Sequence, residues 1–376
     1  MSNQPKVALV HDDFMQAGGA ESLFATMASM WPDAPIYTSL VNREKIPTSI
    51  DKDRIKTSWM QKIPLAKYIF KALLPLYPFA FESFDLSKYD LVISSTTRFA
   101  KSIITKPETI HISYVNAIPR FLWSQKSLFH YLPKIVIFLT KPILFHLKKW
   151  DEISSSRADF YIANSQNVRE RIKKFYHQNS KVVFPHANTE YFKPAKIHNW
   201  PIKNKNYYLV VSRLVKWKKI ELTIKAASVL RKNLIIVGDG PDKSRLKSIA
   251  GSLNAGVEFK GRVSLRELRE LYNNCKSLII TQEEDFGIAA VEAQSCGKPV
   301  IAFSIGGVKE IIINFKTGML FNKQSTNSLK DAIEKSLKLK WNEKIIRSNA
   351  LRFSKSKFGN NLRQTVESYV KANTKS

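Results

Sequence analysis

Short apolar runs alternate with helix-like stretches along this chain of 376 residues. The runs with the length and composition of strands are VALV at 7–10, LVIS at 91–94, HISYV at 111–115, FYIAN at 160–164, YYLVVS at 207–212, LIIVG at 234–238, LIITQ at 278–282 and PVIAF at 299–303. Segments with helical periodicity follow them, for example at 19–30 and 166–177. This alternation is typical of βα units. It predicts an α/β fold in which helices cover both faces of parallel sheets.

The length of the chain fits two domains of Rossmann size, each with its own core. Residues 193–206 contain two prolines and no periodic apolar pattern, which indicates a linker. We therefore predict an N-terminal domain over 1–200 and a C-terminal domain over 201–358. Ligands of parallel α/β sheets bind at the carboxyl ends of the strands, so we expect a ligand cleft between two such domains.

The composition narrows the classes of partner and compartment. Two cysteines, Cys275 and Cys296, without CxxC or Cys/His spacing predict neither a disulfide framework nor a structural zinc site, which favours a reducing cytoplasm. The first residues lack the pattern of a signal peptide. A net charge of +29 favours nucleic acid, anionic lipid or a phosphorylated substrate as partner. No known nucleic-acid module occurs and the charge is diffuse, which argues against nucleic acid.

Two stretches, 54–81 and 109–150, contain no acidic residue and are rich in aromatic residues, leucine and lysine. The apolar part at 131–147 is too short for a membrane span and is interrupted by Pro133 and Pro142. Two interpretations stay open. These stretches form core helices whose lysines snorkel to solvent, or they form interfacial helices that contact an anionic membrane.

The most specific motif is EEDFGIAAVEAQSCGKPVIAFSIGGVKEII at 283–312. It indicates a loop after a strand, a Phe286-Gly287 turn and an apolar helix. Glu284 lies in the loop and Glu292 just inside the helix, so both face a ligand across the helix start. Backbone N–H groups near Gly287 and the helix dipole suit a diphosphate, and carboxylates accept hydrogen bonds from sugar hydroxyls. The motif predicts a nucleotide-sugar site.

A second motif, VVSRLVKWKKIEL at 210–222, places Arg213 and Lys218 after the first strand of the C-terminal half. Cleavage of a sugar–phosphate bond builds negative charge on the leaving diphosphate. Fixed cations stabilise that charge. Arg213 and Lys218 are therefore candidate catalytic residues.

With these motifs the chain resembles, over nearly its whole length, the retaining GT-B glycosyltransferases of group 1 (family 4). That family includes bacterial mannosyltransferases, and its signature is a glutamate pair separated by seven residues. The resemblance implies two Rossmann-like domains facing each other across a cleft, and a C-terminal helix at 359–376 that returns to the N-terminal domain. It also implies that Glu284 contacts the transferred sugar and Glu292 the ribose.

The resemblance further implies that Arg213 and Lys218 clamp the donor pyrophosphate. The family usually has glycine after this lysine, whereas Lys219 stands here, which leaves the local backbone open. In the family, main-chain groups near KGRVS at 260–264 hold the nucleotide base, and a glycine turn like GDGP at 238–241 lies nearby. The implied donor-binding residues are Gly19, Arg262, Val263, Phe286, Gly287, Ile288 and Glu292.

Near the N-terminus, Gly18 and Gly19 permit close approach of the backbone to a phosphate at the start of the helix that Glu21 opens. In the family this loop faces the donor, which makes Gly19 a candidate. His11 is a weaker candidate, because a lone histidine at a strand end is more often structural.

Asn116 stands where similar transferases of bacterial surface polysaccharides have a histidine, in HISYVNAIPRFLWSQ at 111–125. Asparagine can hydrogen-bond a hexose hydroxyl, but it cannot carry charge or relay a proton. In the retaining mechanism usually proposed, the leaving phosphate takes the proton of the acceptor, so activity is not excluded. Asn116 is counted with the catalytic candidates, and His111 and Arg120 stay open as substitutes for the histidine.

The sequence therefore predicts a retaining hexosyltransferase, with mannose favoured as the sugar and GDP-mannose as the donor. The expected acceptor is a lipid-linked saccharide of lipopolysaccharide or capsule assembly, at the anionic inner face of a membrane, where the protein is cytoplasmic and peripheral. No metal or other cofactor is expected, because no Asp-x-Asp motif occurs in the strand context of a metal site; the near match considered there is His11-Asp12-Asp13. Alternatives are a sugar-nucleotide epimerase of the same fold, a non-catalytic donor-binding protein, and a basic nucleic-acid-binding protein.

Overall fold

The computed structural model describes residues 5–123, 134–195 and 206–373, without the side chains of 134–139. The chain divides into two compact units. The first unit is Met1–Pro185 with Phe358–Ser376, and the second is His186–Lys357.

We predicted a domain boundary near residue 200, but the first unit ends at Pro185. The reason is that the following residues pack within the second unit. The Ala187 N–H donates to the Phe353 carbonyl at 3.0 Å, and the Ala195 N–H donates to Asn273 Oδ1 at 2.9 Å. Most of the predicted linker, 196–205, lies outside the described residues.

The first unit contains a seven-stranded parallel sheet. Its strands are β1 (Val7–His11), β2 (Ile36–Thr38), β3 (Ile55–Thr57), β4 (Leu91–Thr96), β5 (Ile110–Val115), β6 (Phe160–Ala163) and β7 (Ser180–Val182). They lie in the order β3-β2-β1-β4-β5-β6-β7. The direction of winding reverses between β1 and β4, so the carboxyl ends of these two strands flank the usual ligand position of such sheets.

Helices cover both faces of this sheet. They are α1 (Gly19–Met30), α2 (Ala66–Ile69), α3 (Tyr77–Glu82), α4 (Arg120–Trp123), α5 (Lys134–Ser154) and α6 (Gln166–Tyr176), together with the final helix of the chain, Lys355–Asn373. One face packs on α1 and the final helix, which buries Phe24, Leu362 and Val366. The other face packs on residues of α3 and α5 such as Phe81 and Leu147. Helix α5 continues through Pro142.

The second unit contains a six-stranded parallel sheet in the order β10-β9-β8-β11-β12-β13. Its strands are β8 (Tyr207–Val211), β9 (Asn233–Val237), β10 (Val257–Gly261), β11 (Ser277–Ile280), β12 (Val300–Phe303) and β13 (Gly318–Phe321). The helices are α7 (Ile220–Val229), α8 (Lys243–Ser252), α9 (Leu265–Asn274), α10 (Ile288–Ser295), α11 (Val308–Ile311), α12 (Thr326–Leu337) and α13 (Glu343–Ala350), so that Lys355–Asn373 is α14. The winding reverses between β8 and β11, as it does in the first unit.

Both sheets are parallel and both have the strand order of a Rossmann fold, so the predicted α/β class is confirmed. The strands β2, β3, β7, β10 and β13 were not predicted. The first three have three residues each, which is too short to show a period in the sequence. None of the helices in the described part of the chain is both long and apolar enough to cross a membrane.

Candidate functional site

A carboxylate–ammonium pair lies where the winding of the second sheet reverses. The loop after β11 carries Glu284, whose Oε1 accepts a hydrogen bond from Lys218 Nζ at 2.6 Å. The side-chain amide of Gln282 donates to the same oxygen. The hydroxyl of Thr281 donates to the carbonyl of Lys218 at 2.8 Å, which ties the loop to the segment after β8. Two predicted catalytic residues are therefore in contact, because β8 and β11 are neighbouring strands.

Two glycines hold the backbone of the Glu284 loop. Gly306 has a φ of +84°, and a Cβ there would lie 2.1 Å from the carbonyl oxygen of Glu284. The N–H of Gly307 donates to that same carbonyl at 2.8 Å. Any side chain at Gly306 would push the loop away, so this glycine sets the position of the Glu284 carboxylate.

Glu292 lies on α10, and its environment includes a residue that the sequence did not point to. The hydroxyl of Tyr272, on α9, donates to Glu292 Oε2 at 2.9 Å. Burial raises the pKa of Glu292 to about 7, although the Tyr272 hydrogen bond opposes this shift. The Tyr272 ring is itself buried and packs edge-on against Phe192, with ring centroids 5.5 Å apart. Tyr272 therefore orients the carboxylate predicted to meet the ribose.

The predicted donor contacts in the turn before α10 have different structural roles. The Phe286 side chain is buried against Phe353, with ring centroids 5.3 Å apart, so it anchors the turn in the core of the unit. Gly287 precedes the helix with a φ of +110°, and Ile288 is the first residue of α10. The first N–H groups of an α-helix have no acceptor within the helix, so this end suits a phosphate through its backbone.

Arg213 follows β8 and is exposed. Lys218 ends a 3₁₀ helix, Lys216–Lys218, and its Nζ lies 4.3 Å from the centroid of the Trp217 ring. Lys219 has a φ of +53° in the left-handed region. Lys219 therefore adopts the backbone conformation that glycine adopts most easily, at a strain cost of about 1 kcal/mol.

The two predicted base contacts, Arg262 and Val263, follow β10 directly. Arg262 is exposed, and Val263 is partly buried. The nearby GDGP turn is held against the segment that carries Arg213, because the N–H of Leu214 donates to the Asp239 carbonyl at 2.9 Å. A hydrogen bond from the Gly240 N–H, with the charges of Lys243 and Arg262 nearby, lowers the pKa of the exposed Asp239.

In the first unit, the Asp12 carboxylate after β1 is a hub of hydrogen bonds. It accepts from the N–H groups of four consecutive residues after β4, with distances of 2.9 Å to Arg98 and 2.8 Å to both Phe99 and Ala100. Burial alone raises its pKa, but the charge of Arg98 and the backbone donors outweigh burial, and the net pKa is lowered. The negative charge of Asp12 thus fixes the loop after β4 against the end of β1.

His11 is part of the protein interior. Its ring stacks on Phe24, with centroids 4.5 Å apart, and its Nδ1 lies 3.2 Å from the Ser95 carbonyl. Burial lowers its pKa, against the opposing charges of Asp12 and Asp13. The ring is therefore neutral at physiological pH, and the structural interpretation of His11 fits better than a catalytic one.

The loop that contains Gly18 and Gly19 lies beside a second charged group, formed by Asp13 and Arg98. Asp13 forms an ion pair with Arg98 and accepts a hydrogen bond from the Tyr77 hydroxyl at 3.3 Å. Gly19 is exposed at the first position of α1. Burial raises the pKa of Glu21 to about 7. The sequence analysis did not identify Arg98 as a site residue, because it follows a buried strand and no motif surrounds it.

Asn116 is buried at the end of β5. Its Nδ2 donates to Ser95 Oγ at 3.0 Å, and its carbonyl accepts from Asn164 Nδ2 at 2.7 Å. His111 lies in the middle of the sheet, with Nε2 2.9 Å from Ser94 Oγ, and burial lowers its pKa to about 4. His111 therefore has a structural environment and does not substitute for a histidine at Asn116.

No group of three histidine, cysteine or acidic side chains in the described ranges is arranged to hold a metal ion. The carboxylates of Asp12 and Asp13 are engaged by the loop after β4 and by Arg98, as described above. The expectation that no metal takes part stays a prediction.

Comparison with known proteins relates the site of the second unit to a family. Residues 192–353, which include Arg213, Lys218, Glu284 and Glu292, match the family described as Glycosyl transferases group 1. This similarity to glycosyltransferases of group 1 covers most of the second unit, and it supports glycosyltransferase activity. The chain is 28% identical over 313 residues to the uncharacterized glycosyltransferase MJ1069 of Methanocaldococcus jannaschii, a match that covers 77% of this chain and 76% of the relative.

This glycosyltransferase also resembles a named enzyme, the alpha-1,3/1,6-mannosyltransferase ALG2 of Dictyostelium discoideum. The identity is 26% over 294 residues, which are 67% of this chain and 66% of the relative.

Two solved structures share the fold of this glycosyltransferase. HepE of Anabaena, solved with UDP and glucose, is 19% identical with a TM-score of 0.68, over 97% of this chain and 100% of that one. The lipopolysaccharide outer core galactosyltransferase WaaB is 16% identical with a TM-score of 0.67, over 96% and 99%. The GT-B fold predicted from the sequence is confirmed.

Proposed function

We propose that this glycosyltransferase is a retaining hexosyltransferase that binds its nucleotide-diphosphate-sugar donor on the second unit. The observation that carries the proposal is the contact between Lys218 and Glu284 at 2.6 Å, at the reversal point of the second sheet. The Glu284 carboxylate can accept hydrogen bonds from sugar hydroxyls, and the Lys218 ammonium can bind a diphosphate. The two groups lie next to each other, as a donor in which the sugar is joined to the diphosphate requires.

Three of the predicted catalytic residues have a role in the proposed reaction. The bond between the anomeric carbon and the diphosphate oxygen breaks, and a bond from the same face of the sugar to an acceptor hydroxyl oxygen forms. The diphosphate leaves with the bonding electrons and accepts the proton of the acceptor. Arg213 and Lys218 stabilise its charge, and Glu284 orients the hexose. Donor binding requires Lys218 to share its charge between Glu284 and the phosphate.

The proposed donor is GDP-mannose, and a uridine donor is the alternative. Similarity to the mannosyltransferase ALG2 supports mannose. The uridine alternative is motivated by HepE, which was solved with UDP and glucose and shares the fold at 19% identity. Arg262 and Val263 are the proposed base contacts in either case.

Calorimetric titration with GDP-mannose, UDP-glucose and UDP-N-acetylglucosamine tests the donor proposal. We expect one donor to bind, and the Glu292→Ala variant to weaken its binding by about tenfold or more, since the ribose loses a charge-assisted hydrogen bond. Glu334→Ala, which removes an exposed carboxylate from α12, is the matched control and should change binding by less than about twofold. If none of the three donors binds, or if both variants weaken binding equally, the proposed site is wrong.

We propose further that the acceptor is a lipid-linked saccharide and that the first unit contacts an anionic membrane. The two basic aromatic stretches pack on the same face of the first sheet, where Met60, Phe81 and Leu147 are buried, so the core interpretation holds for part of each. Other large apolar side chains of these stretches are exposed at their surface. They are Trp59, Leu65, Tyr68, Ile69, Phe79, Ile143 and Phe145.

This group of exposed side chains, the apolar face of the first unit, is accompanied by lysines. Lys67 Nζ lies 4.9 Å from the centroid of the Tyr68 ring, and Lys71 Nζ lies 5.9 Å from that of Phe70. Apolar side chains beside cations are what an anionic lipid surface attracts. The likeness to the lipopolysaccharide galactosyltransferase WaaB supports, at fold level, an acceptor of lipopolysaccharide or capsule assembly.

A further inference from the structure

A cavity of about 310 Å³ opens in the first unit at the carboxyl ends of β5 and β6. It begins at Ile118, two residues beyond Asn116. Helix α6, which follows β6, forms one wall with four side chains at helical spacing, Asn167, Glu170, Arg171 and Lys174. Residues at i, i+3, i+4 and i+7 lie on one face of a helix, so these four side chains project in the same direction.

The charges around this cavity are mostly positive. Arg120, at the start of α4, also lines the cavity and adds a third cation to Arg171 and Lys174, and Glu170 is the one carboxylate among the described lining residues. Guanidinium groups bind phosphate oxygens in pairs, and an ammonium adds a mobile point charge. A group of three cations and one carboxylate favours an anionic ligand that also carries hydroxyl donors.

Aromatic rings form the rest of the wall. Trp123 and Phe175 line the cavity with ring centroids 4.8 Å apart. Lys148 Nζ lies 4.6 Å from the centroid of the Trp123 ring, so that ring is partly covered, and the exposed parts of the two rings offer an apolar surface for the C–H groups of a pyranose.

The position of the Trp123 ring is set by a buried group behind it. Its indole N–H donates to Asp151 Oδ2 at 2.7 Å. The same carboxylate accepts from the Tyr176 hydroxyl at 2.9 Å and from Lys101 Nζ at 2.5 Å, and both Lys101 and Asp151 are fully buried. The wall is therefore held in place before a ligand arrives, which lowers the entropy lost on binding.

We propose that this cavity binds a phosphorylated saccharide. The phosphate contacts Arg120, Arg171 and Lys174, the sugar ring packs on Trp123, and its hydroxyls meet Asn167 and Glu170. A cavity of about 310 Å³ is at the small end of ligand sites, so it fits one sugar phosphate rather than a long chain. That this ligand is part of the glycosyl acceptor rests on the proposed function; the binding itself does not.

Binding of α-D-glucose 1-phosphate, with glucose as the uncharged comparison, tests the proposal by calorimetry. The measurement uses the full chain with Arg213→Ala and Lys218→Ala, so that the proposed diphosphate site does not contribute. On this background, Arg171→Gln with Lys174→Gln should weaken glucose 1-phosphate binding by about tenfold or more. The matched control is Arg169→Gln with Lys173→Gln, an equal change of charge at exposed positions of the same helix that do not line the cavity.

A second arm distinguishes a soluble ligand from a lipid-linked one. Sedimentation with phosphatidylcholine vesicles, with and without dihexadecyl phosphate, compares the same two pairs of substitutions. If the variant with Arg171→Gln and Lys174→Gln loses binding to both glucose 1-phosphate and the vesicles with dihexadecyl phosphate, the cavity accepts the phosphate of a lipid. If this variant loses binding to glucose 1-phosphate alone, the ligand is a free sugar phosphate.

Equal effects of the cavity pair and the control pair on glucose 1-phosphate would overturn the proposal. So would binding that disappears with Arg213→Ala and Lys218→Ala and is indifferent to α6. The donor titration fails or succeeds separately, because it reports on the second unit. Glucose 1-phosphate bound in the cavity by a chain that binds no nucleotide sugar would reject the proposed function and keep the cavity.

Discussion

At the scale of single residues, burial and backbone conformation give several side chains properties that their identity alone does not. Lys219 adopts a left-handed backbone, and Glu292 has a pKa near 7 next to the buried Tyr272. Lys101 and Asp151 form a buried ion pair at 2.5 Å that also holds the Trp123 ring. For Glu292 and Asp151, residues from other elements of the chain set the pKa or the hydrogen-bond partners of the side chain.

The raised pKa of Glu292 predicts a pH dependence of stability. Its carboxyl has an ordinary pKa of 4.5 and a folded pKa of about 7, so the folded state binds the proton more tightly. This residue therefore costs stability as pH rises from about 4.5 to about 7, by up to about 3 kcal/mol at 1.36 kcal/mol per pH unit. Glu292→Gln removes the titration and keeps an oxygen for the Tyr272 hydroxyl.

Urea unfolding of the wild type and Glu292→Gln at about pH 5 and about pH 8 measures this effect. The unfolding free energy of the variant should exceed that of the wild type by more at the higher pH. Glu21 titrates in the same range, but it is present in both proteins and cancels. A difference between the two proteins that does not change with pH would contradict the prediction, and Glu334→Gln supplies the baseline for an exposed carboxylate.

At the scale of secondary-structure elements, α14 is the clearest case of a segment whose place is decided by its apolar side chains. Phe358, Leu362 and Val366 are buried in the core of the first unit, although the preceding residues belong to the second. The Tyr369 hydroxyl donates to the Tyr161 carbonyl at 3.2 Å, and its ring stacks on Phe160. The helix thus completes a core formed by residues much earlier in the chain.

Replacement of Leu362 by alanine should destabilise the first unit. The side chain is fully buried, so the loss of its contacts and the cavity that remains should cost about 2–5 kcal/mol. Arg363→Ala, at an exposed position of the same helix, should change stability by less than about 0.5 kcal/mol. Urea unfolding compares the two, and similar midpoints for both variants would show that α14 contributes little to that core.

At the scale of the whole molecule, the proposed membrane contact combines the net charge of +29 with the apolar face of the first unit. In this proposal, charge attracts the chain to an anionic surface over a distance of about 10 Å, and the exposed rings then insert at the interface. The diffuse charge by itself would bind any polyanion. The exposed side chains of Trp59 (40% exposed), Tyr68 (70%) and Phe79 (61%) are what would favour lipid.

Sedimentation with vesicles of phosphatidylcholine and phosphatidylglycerol tests this. Substitution of Trp59, Tyr68 and Phe79 by serine should weaken binding by about tenfold or more, because three apolar side chains no longer enter the interface. The control replaces three exposed apolar residues of the second unit, Val229, Leu253 and Leu265, by serine. Equal losses in the two triple variants, or equal binding to vesicles without phosphatidylglycerol, would reject an anionic membrane contact through this face.

The sequence by itself indicated eight of the described strands and the class of the fold, because strand and helix periods are local properties of the chain. It also assigned Lys218 and Glu284 to one donor site, and the structure adds that the two side chains are in contact at the neighbouring ends of β8 and β11. The predicted helix at 19–30 has the bounds that the structure shows, Gly19–Met30.

Only the tertiary structure decided which distant groups surround each site. Asp12 meets the backbone of residues after β4, Glu292 meets Tyr272, and the first unit ends at Pro185 because the next residues pack on the second. None of these contacts leaves a periodic signal, since the partners are far apart in the chain. Burial then sets the pKa of Glu292 and His11, and burial exists only once the sheets and helices have packed.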